Sequence, residues 1–167
     1  MYYTYHDSPI GPLLLAGDSS ALRLISFPSG DRQHEVQSDW QCNAAVFSAA
    51  TAQLDAYFAG ELRQFDLPLA PLGTPFQCQV WQTLQTIPYG TTWSYAQLAR
   101  AIGRPTAFRA VGAANGANPL PIIIPCHRVI GANGKLTGFG GGLPVKHWLL
   151  TLEQALPVSA AQQLALF

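Results

Sequence analysis

Cys126, His127 and Arg128 stand side by side at the end of an apolar run, "LPIIIPCHRVI". A thiol beside an imidazole and a guanidinium admits three chemistries. A zinc ion needs three or four converging Cys, His or carboxylate ligands. Only His127 adjoins Cys126, and adjacent residues rarely ligate one ion together, so no metal site is expected. A structural thiol is the second reading. The isoleucines read as a buried extended run, and Pro125, which donates no backbone hydrogen bond, suits its end. That accounts for the isoleucines but not for the polar pair that follows. The third reading is a nucleophile, since a nearby His or Arg favours the reactive thiolate. Neighbours in an extended strand point to opposite faces, so a Cys126–His127 link needs a turn or a bridging water. The imidazole in turn needs an orienting carboxylate or carbonyl. Residues 67–152 contain no Asp or Glu, so the first acidic candidate in that half is Glu153.

That acid-free stretch belongs to a wider asymmetry. Residues 1–66 hold eight acids and three arginines, whereas residues 67–152 hold Arg100, Arg104, Arg109, Arg128, Lys135 and Lys146. The formal net charge of zero hides a segment suited to an anion, most simply nucleic acid. With 49% hydrophobic and 11% charged residues, the chain reads as folded, with a sizeable core. The apolar runs are too short to span a bilayer, and "MYYTYHDSPIG" lacks the pattern of a secretion signal. A cytoplasmic protein is expected. Cys42 and Cys78 fit no zinc or redox spacing and read as free, buried thiols.

These residues need elements to position them. Residues 1–30 read as strands, with a hairpin loop at "GDSS", and 31–42 as loop. From Ala44 to Phe58, the residues Val46, Phe47, Ala50, Leu54, Tyr57 and Phe58 form one helical stripe. The Pro- and Gly-rich "LPLAPLGTP" coincides with the charge switch and places a domain boundary, giving domains at 1–70 and 71–157 and a tail at 158–167. Thr74-Pro75 starts a helix with Phe76, Val80, Trp81 and Leu84 on its inner face. Ser94 caps another, and Pro105 starts a third running through Ala114. The last two form a helix-turn-helix. Its second helix, "TAFRAVGAANGAN", carries Arg109 as its only charge. Small residues suit close approach to a groove without reading base edges, and one Arg suits insertion into a duplex.

The segment from about 74 to 153, with "IPCHRVI" at its centre, resembles the O6-alkylguanine–DNA alkyltransferases, the methylated-DNA–protein cysteine methyltransferases. The resemblance implies an α+β fold. A small ribonuclease-H-like sheet-plus-helix domain would precede a mostly helical domain with a winged-helix-like helix-turn-helix. It implies that Cys126 takes an alkyl group irreversibly from O6 of a guanine flipped out of double-stranded DNA, and leaves O4-alkylthymine open as a second lesion. Tyr95 would assist extrusion and protonate the leaving base. His127 would activate Cys126 through a water, oriented by Glu153. Arg109 would fill the vacated place in the duplex, with Ser94, Tyr95, Ala110, Ala113, Ala114 and Asn118 on the DNA-binding surface. Asn118 would tie that helix to the cysteine turn, and Arg128 would be structural. Tyr95, Pro121, Val129, Phe139, Gly140 and Gly141 would line the pocket. His147, where a Glu is common in the family, is expected to face solvent. No cofactor or metal is implied, and a monomer is expected. Two rivals remain at this stage: a non-catalytic lesion-binding protein that recruits repair factors, and a cysteine hydrolase unrelated to DNA.

Overall fold

The structure, a computed structural model, describes residues 1–156. The expected tail at 158–167 lies outside the described residues. In the first half, β1 (Tyr2–His6), β2 (Leu13–Gly17) and β3 (Leu22–Ser26) form an antiparallel meander. A two-residue β4 (Gln41–Cys42) pairs parallel with β1, so the sheet order is β3-β2-β1-β4. Every residue of β2 is buried, which is why its sequence is a continuous apolar run and not an alternation. The "GDSS" hairpin is held by Asp18, whose Oδ1 accepts from the backbone N–H of Ser20 at 2.8 Å and of Ala21 at 3.0 Å.

The expected helix over 44–58 forms in two pieces, a 3-10 turn at Ala44–Phe47 and α1 (Ser48–Phe58). Phe47, Ala50, Leu54 and Tyr57 of the stripe are buried. The Pro- and Gly-rich stretch after it runs along the edge of β3. Leu22 donates its N–H to Pro68 O at 2.9 Å, and Ala70 donates to Leu22 O at 2.9 Å. The outward N–H and C=O of Leu22 on this sheet edge are thereby paired.

In the second half, α2 (Pro75–Leu84) and α3 (Tyr95–Ala101) both begin with a complete capping box, Thr74 with Gln77 and Ser94 with Gln97. The next helix differs from expectation. α4 spans Phe108–Gly116, and Pro105 sits in a turn closed by Ala107 N–H to Arg104 O at 2.9 Å. The helix runs past Ala114 because Asn115 and Gly116 continue its hydrogen bonding, with Ala117 as C-cap. Trp81 is 2% exposed and donates its indole N–H to Ala114 O at 2.8 Å, which locks α2 against α4.

The isoleucine run corrects a second expectation. It is buried but not extended. Ile124 donates its N–H back to Leu120 O at 2.9 Å, and Ile122 takes φ +75°. A β-branched residue in the left-handed region is strained, and persists only where its surroundings hold it. Here Ile122 is 1% exposed within the core. Cys126–Arg128 then form a 3-10 turn, followed by β6 (Val129–Ile130), which pairs parallel with β5 (Trp93–Ser94) at the start of α3. α5 (Leu143–Leu152) closes the fold. One apolar cluster joins both halves, from Leu13 and Leu54 to Leu98, Ile124 and Leu149.

Candidate active site

The compact turn before Cys126 fixes where the thiol points. Asn118, at the foot of α4, donates through Nδ2 to Ile124 O at 2.8 Å, and its Oδ1 accepts from Leu120 N–H at 3.0 Å. Cys126 donates its own N–H to Ile124 O at 2.8 Å. The thiol is 6% exposed and lies on the wall of a cavity shared with Asn115, Asn118, Pro121, Phe139 and Gly140. Burial pushes its pKa up, opposed by the Asn118 side chain and the charge of Lys146. A thiol stored in its protonated form needs a base to become a nucleophile.

His127 is fully buried, and its Nε2 lies 2.5 Å from Glu153 Oε2. An ionised carboxylate only accepts, so Nε2 carries the imidazole proton and Nδ1 is the bare nitrogen. Nδ1 is buried without a hydrogen-bond partner in the protein. Burial lowers the His127 pKa, with Glu153 acting against it, so the ring is neutral at pH 7. Glu153 is itself 2% exposed. Burial favours its protonated form, but the donors His127 and Arg128 outweigh that and hold its pKa at about 2. Arg128 Nε donates to Glu153 Oε1 at 2.6 Å, and its Nη1 to Ile87 O at 2.7 Å. Tyr57, from the first half, donates its hydroxyl to Glu153 Oε2 at 2.6 Å. The carboxylate therefore holds three donors.

Tyr57 was legible only as a core aromatic, although a buried tyrosine hydroxyl calls for a partner. Lys146 reads in the sequence only as one of the six cations between residues 67 and 152. It is fully buried and donates to Val129 O at 2.6 Å and Thr137 O at 3.1 Å; burial lowers its pKa to about 8. Its spacing from Leu149 and Leu150 places it on the buried stripe of α5, which is a readable signal. Arg32 and His34 also line the Cys126 cavity, and nothing in their polar loop foretold it. That loop packs on the glycine-rich wall: a side chain at Gly30, where φ is +107°, would put its Cβ 2.2 Å from Gly140 O. A Cβ at Gly141 would come within 2.8 Å of the Phe27 ring.

The remaining expected residues divide. Arg109, Ala110 and Ala113 lie on the exposed face of α4, and Ser94 is half-buried at the cap of α3. Ala114 does not belong on that surface: it is 3% exposed and packs inward against α2. Pro121, Phe139 and Gly140 line the cavity, whereas Val129 points into the core as part of β6, and Gly141 backs onto Phe27 and Phe139. Tyr95 is half-buried outside the lining, its hydroxyl 2.7 Å from Thr137 Oγ1. His147 does not face solvent freely, since its Nε2 is buried without a partner. Cys42 is exposed and Cys78 half-buried, because β4 is a sheet edge and Cys78 lies at the rim of α2.

A sheet-and-helix half packed on a helix-turn-helix half, with a buried thiol, imidazole and carboxylate between them, defines the class. The model of the 6-O-methylguanine DNA methyltransferase DNA-binding domain matches residues 75–155, and that of the ribonuclease-like domain of the same proteins matches residues 1–71. The chain is 56% identical over 153 residues to the methylated-DNA–protein-cysteine methyltransferase of Methanosarcina acetivorans, covering 92% of this chain and 98% of that one. It is 52% identical to the enzyme of that name from Mycobacterium tuberculosis over 155 residues, 93% of each. The crystal structure of Mycobacterium tuberculosis OGT in complex with DNA superposes with a TM-score of 0.87 at 52% identity, covering 94% of this chain and 96% of that one. The chain belongs to the methylated-DNA–protein-cysteine methyltransferase family.

Proposed function

We propose that the protein repairs DNA directly, by moving an alkyl group from O6 of guanine in double-stranded DNA onto Cys126. The observation that carries this reading is the thiol on a cavity wall, followed in the same turn by an imidazole whose proton is fixed toward Glu153. The bare Nδ1 of His127 is left to take the thiol proton through a water. The new imidazolium is stabilised by Glu153. The sulfur attacks the alkyl carbon, a C–S bond forms, and the C–O6 bond breaks with its electron pair going to the base. Tyr95 supplies a proton to the leaving guanine, and the thiol proton restores Tyr95 through solvent and His127. The product is a thioether, which carries no leaving group under these conditions, so each molecule reacts once.

The cavity takes a single base out of its stack, as such chemistry requires. Arg109 stands exposed on α4 between Phe108, also exposed, and a run of small residues, where it enters the duplex as the base leaves. Ser94, Ala110 and Ala113 lie against the backbone, and Asn118 couples α4 to the cysteine turn. Substituting Cys126→Ala tests the assignment: the variant binds duplex DNA like the wild type and accepts no alkyl group. Transfer to another cysteine in that variant would contradict it. Among the described residues, no helix is long and apolar enough to cross a membrane. A monomer fits the one-to-one stoichiometry, and we take the cytoplasm as its place of action.

A further inference from the structure

Asn115 sits in the last turn of α4, 5% exposed, on the same cavity wall as Cys126. Its Nδ2 reaches the Cys126 carbonyl oxygen at 3.5 Å. Its Oδ1 is buried without a hydrogen-bond partner. A buried amide oxygen left unpaired is costly, and a native protein retains one where something else satisfies it. The neighbouring amide cannot serve in its place, because Asn118 is committed to Ile124 and Leu120.

The chemistry of the lesion supplies a matching donor. Cys126 and Asn115 line the same cavity, so a base whose O6-alkyl carbon meets the sulfur can turn its pairing edge toward Asn115. N1 of an O6-alkylated guanine carries no proton. The next group on that edge is the exocyclic 2-amino group, with two N–H donors. The Cys126 carbonyl already accepts from the Val129 N–H and from Asn115 Nδ2, so the open acceptor there is Asn115 Oδ1. We propose that Asn115 is a specificity residue whose Oδ1 accepts a hydrogen bond from the 2-amino group of the flipped guanine. This rests on the alkyl-transfer reading above. Asn115 thereby selects purines that carry a 2-amino group and helps hold O6 at the sulfur.

Single-turnover transfer rates from two duplexes of the same sequence test this, one with O6-methylguanine and one with O6-methylhypoxanthine, which lacks only the 2-amino group. The wild type should react with the second more slowly, on the order of tenfold. Asn115→Leu should be slower on O6-methylguanine and lose most of that preference. Asn115→Asp, which keeps an acceptor oxygen, should retain the preference even if both rates drop. If Asn115→Leu does not fold, judged by its thermal melt, Asn115→Ala replaces it. Equal wild-type rates on the two duplexes, or an undiminished preference in the Leu or Ala variant, overturn the proposal. No transfer by the wild type from O6-methylguanine would sink the alkyl-transfer reading itself, and this inference with it.

Discussion

Tyr57 and Glu153, 96 residues apart in sequence, meet through a 2.6 Å hydrogen bond in the buried centre of the molecule. The same carboxylate oxygen accepts from His127. The first half of the chain therefore helps hold the group that orients the imidazole. Removing the hydroxyl in Tyr57→Phe leaves Glu153 with two donors instead of three. A bond to a charged group is worth about 1.5–3 kcal/mol. Urea unfolding should show a loss of that size, and alkyl transfer should slow while binding to undamaged duplex stays unchanged. Unaltered stability and transfer would mean that the contact between the halves is incidental.

Glu153→Gln should cost more. It leaves the buried Arg128 guanidinium without its countercharge, and unpairing a buried ion costs about 3–5 kcal/mol. Glutamine keeps the shape but can meet the three donors with only one oxygen. The denaturation midpoint should fall accordingly, and transfer should fall further than in Tyr57→Phe. A change below about 1 kcal/mol, within the range of exposed ion pairs, would show that the triad carries little energy.

Acid should unfold the protein through these same groups. The folded His127 has a pKa below its ordinary 6.5, so below that pH the unfolded chain binds a proton that the folded one refuses. Glu153 has a folded pKa of about 2 against an ordinary 4.5, so its contribution is complete above 4.5 and drains away as pH falls toward 2. Both signs agree: stability falls with falling pH, beginning below 6.5 and steepening below 4.5. Denaturant midpoints measured across that range check this, and a flat profile between pH 6.5 and 3 would contradict the buried neutral imidazole.

Arg109→Ala should weaken transfer from a lesion duplex more than it weakens binding to undamaged DNA. Of the six cations between residues 67 and 152, Arg128 and Lys146 are buried, but Arg100, Arg104 and Lys135 stay exposed, so nonspecific affinity survives the loss of Arg109. Extrusion of the base suffers more, because Phe108 is then the one large exposed side chain left on α4, and it carries no charge. Filter binding and single-turnover rates measured side by side decide the point. Equal losses in both would assign Arg109 to phosphate contact alone.

The sequence disclosed the site more fully than the path to it. Both helix starts with capping boxes were readable from Thr74 and Ser94, since a side-chain cap is a local signal. The link from His127 to Glu153 was readable because the acid-free stretch leaves no nearer carboxylate. What escaped depends on long-range packing. Ile122 looks like a strand residue by propensity, and only the surrounding core holds it at φ +75°. Pro105 looked like a helix start, but Phe108 is where the backbone begins to repeat. Ala114 and Ala113 are alike in type, and only the docking of Trp81 turns one inward. Arg32 reaches the cavity through loop packing that leaves no periodic trace.

The central claim is that Cys126 is the acceptor in a single transfer. Incubation with excess duplex bearing O6-methylguanine, followed by intact-mass measurement and peptide mapping, tests it most directly. One added methyl group per molecule is expected, on the peptide containing Cys126, with an equal amount of restored guanine in the DNA. Bound DNA with an unmodified thiol, or more guanine restored than protein present, would contradict it.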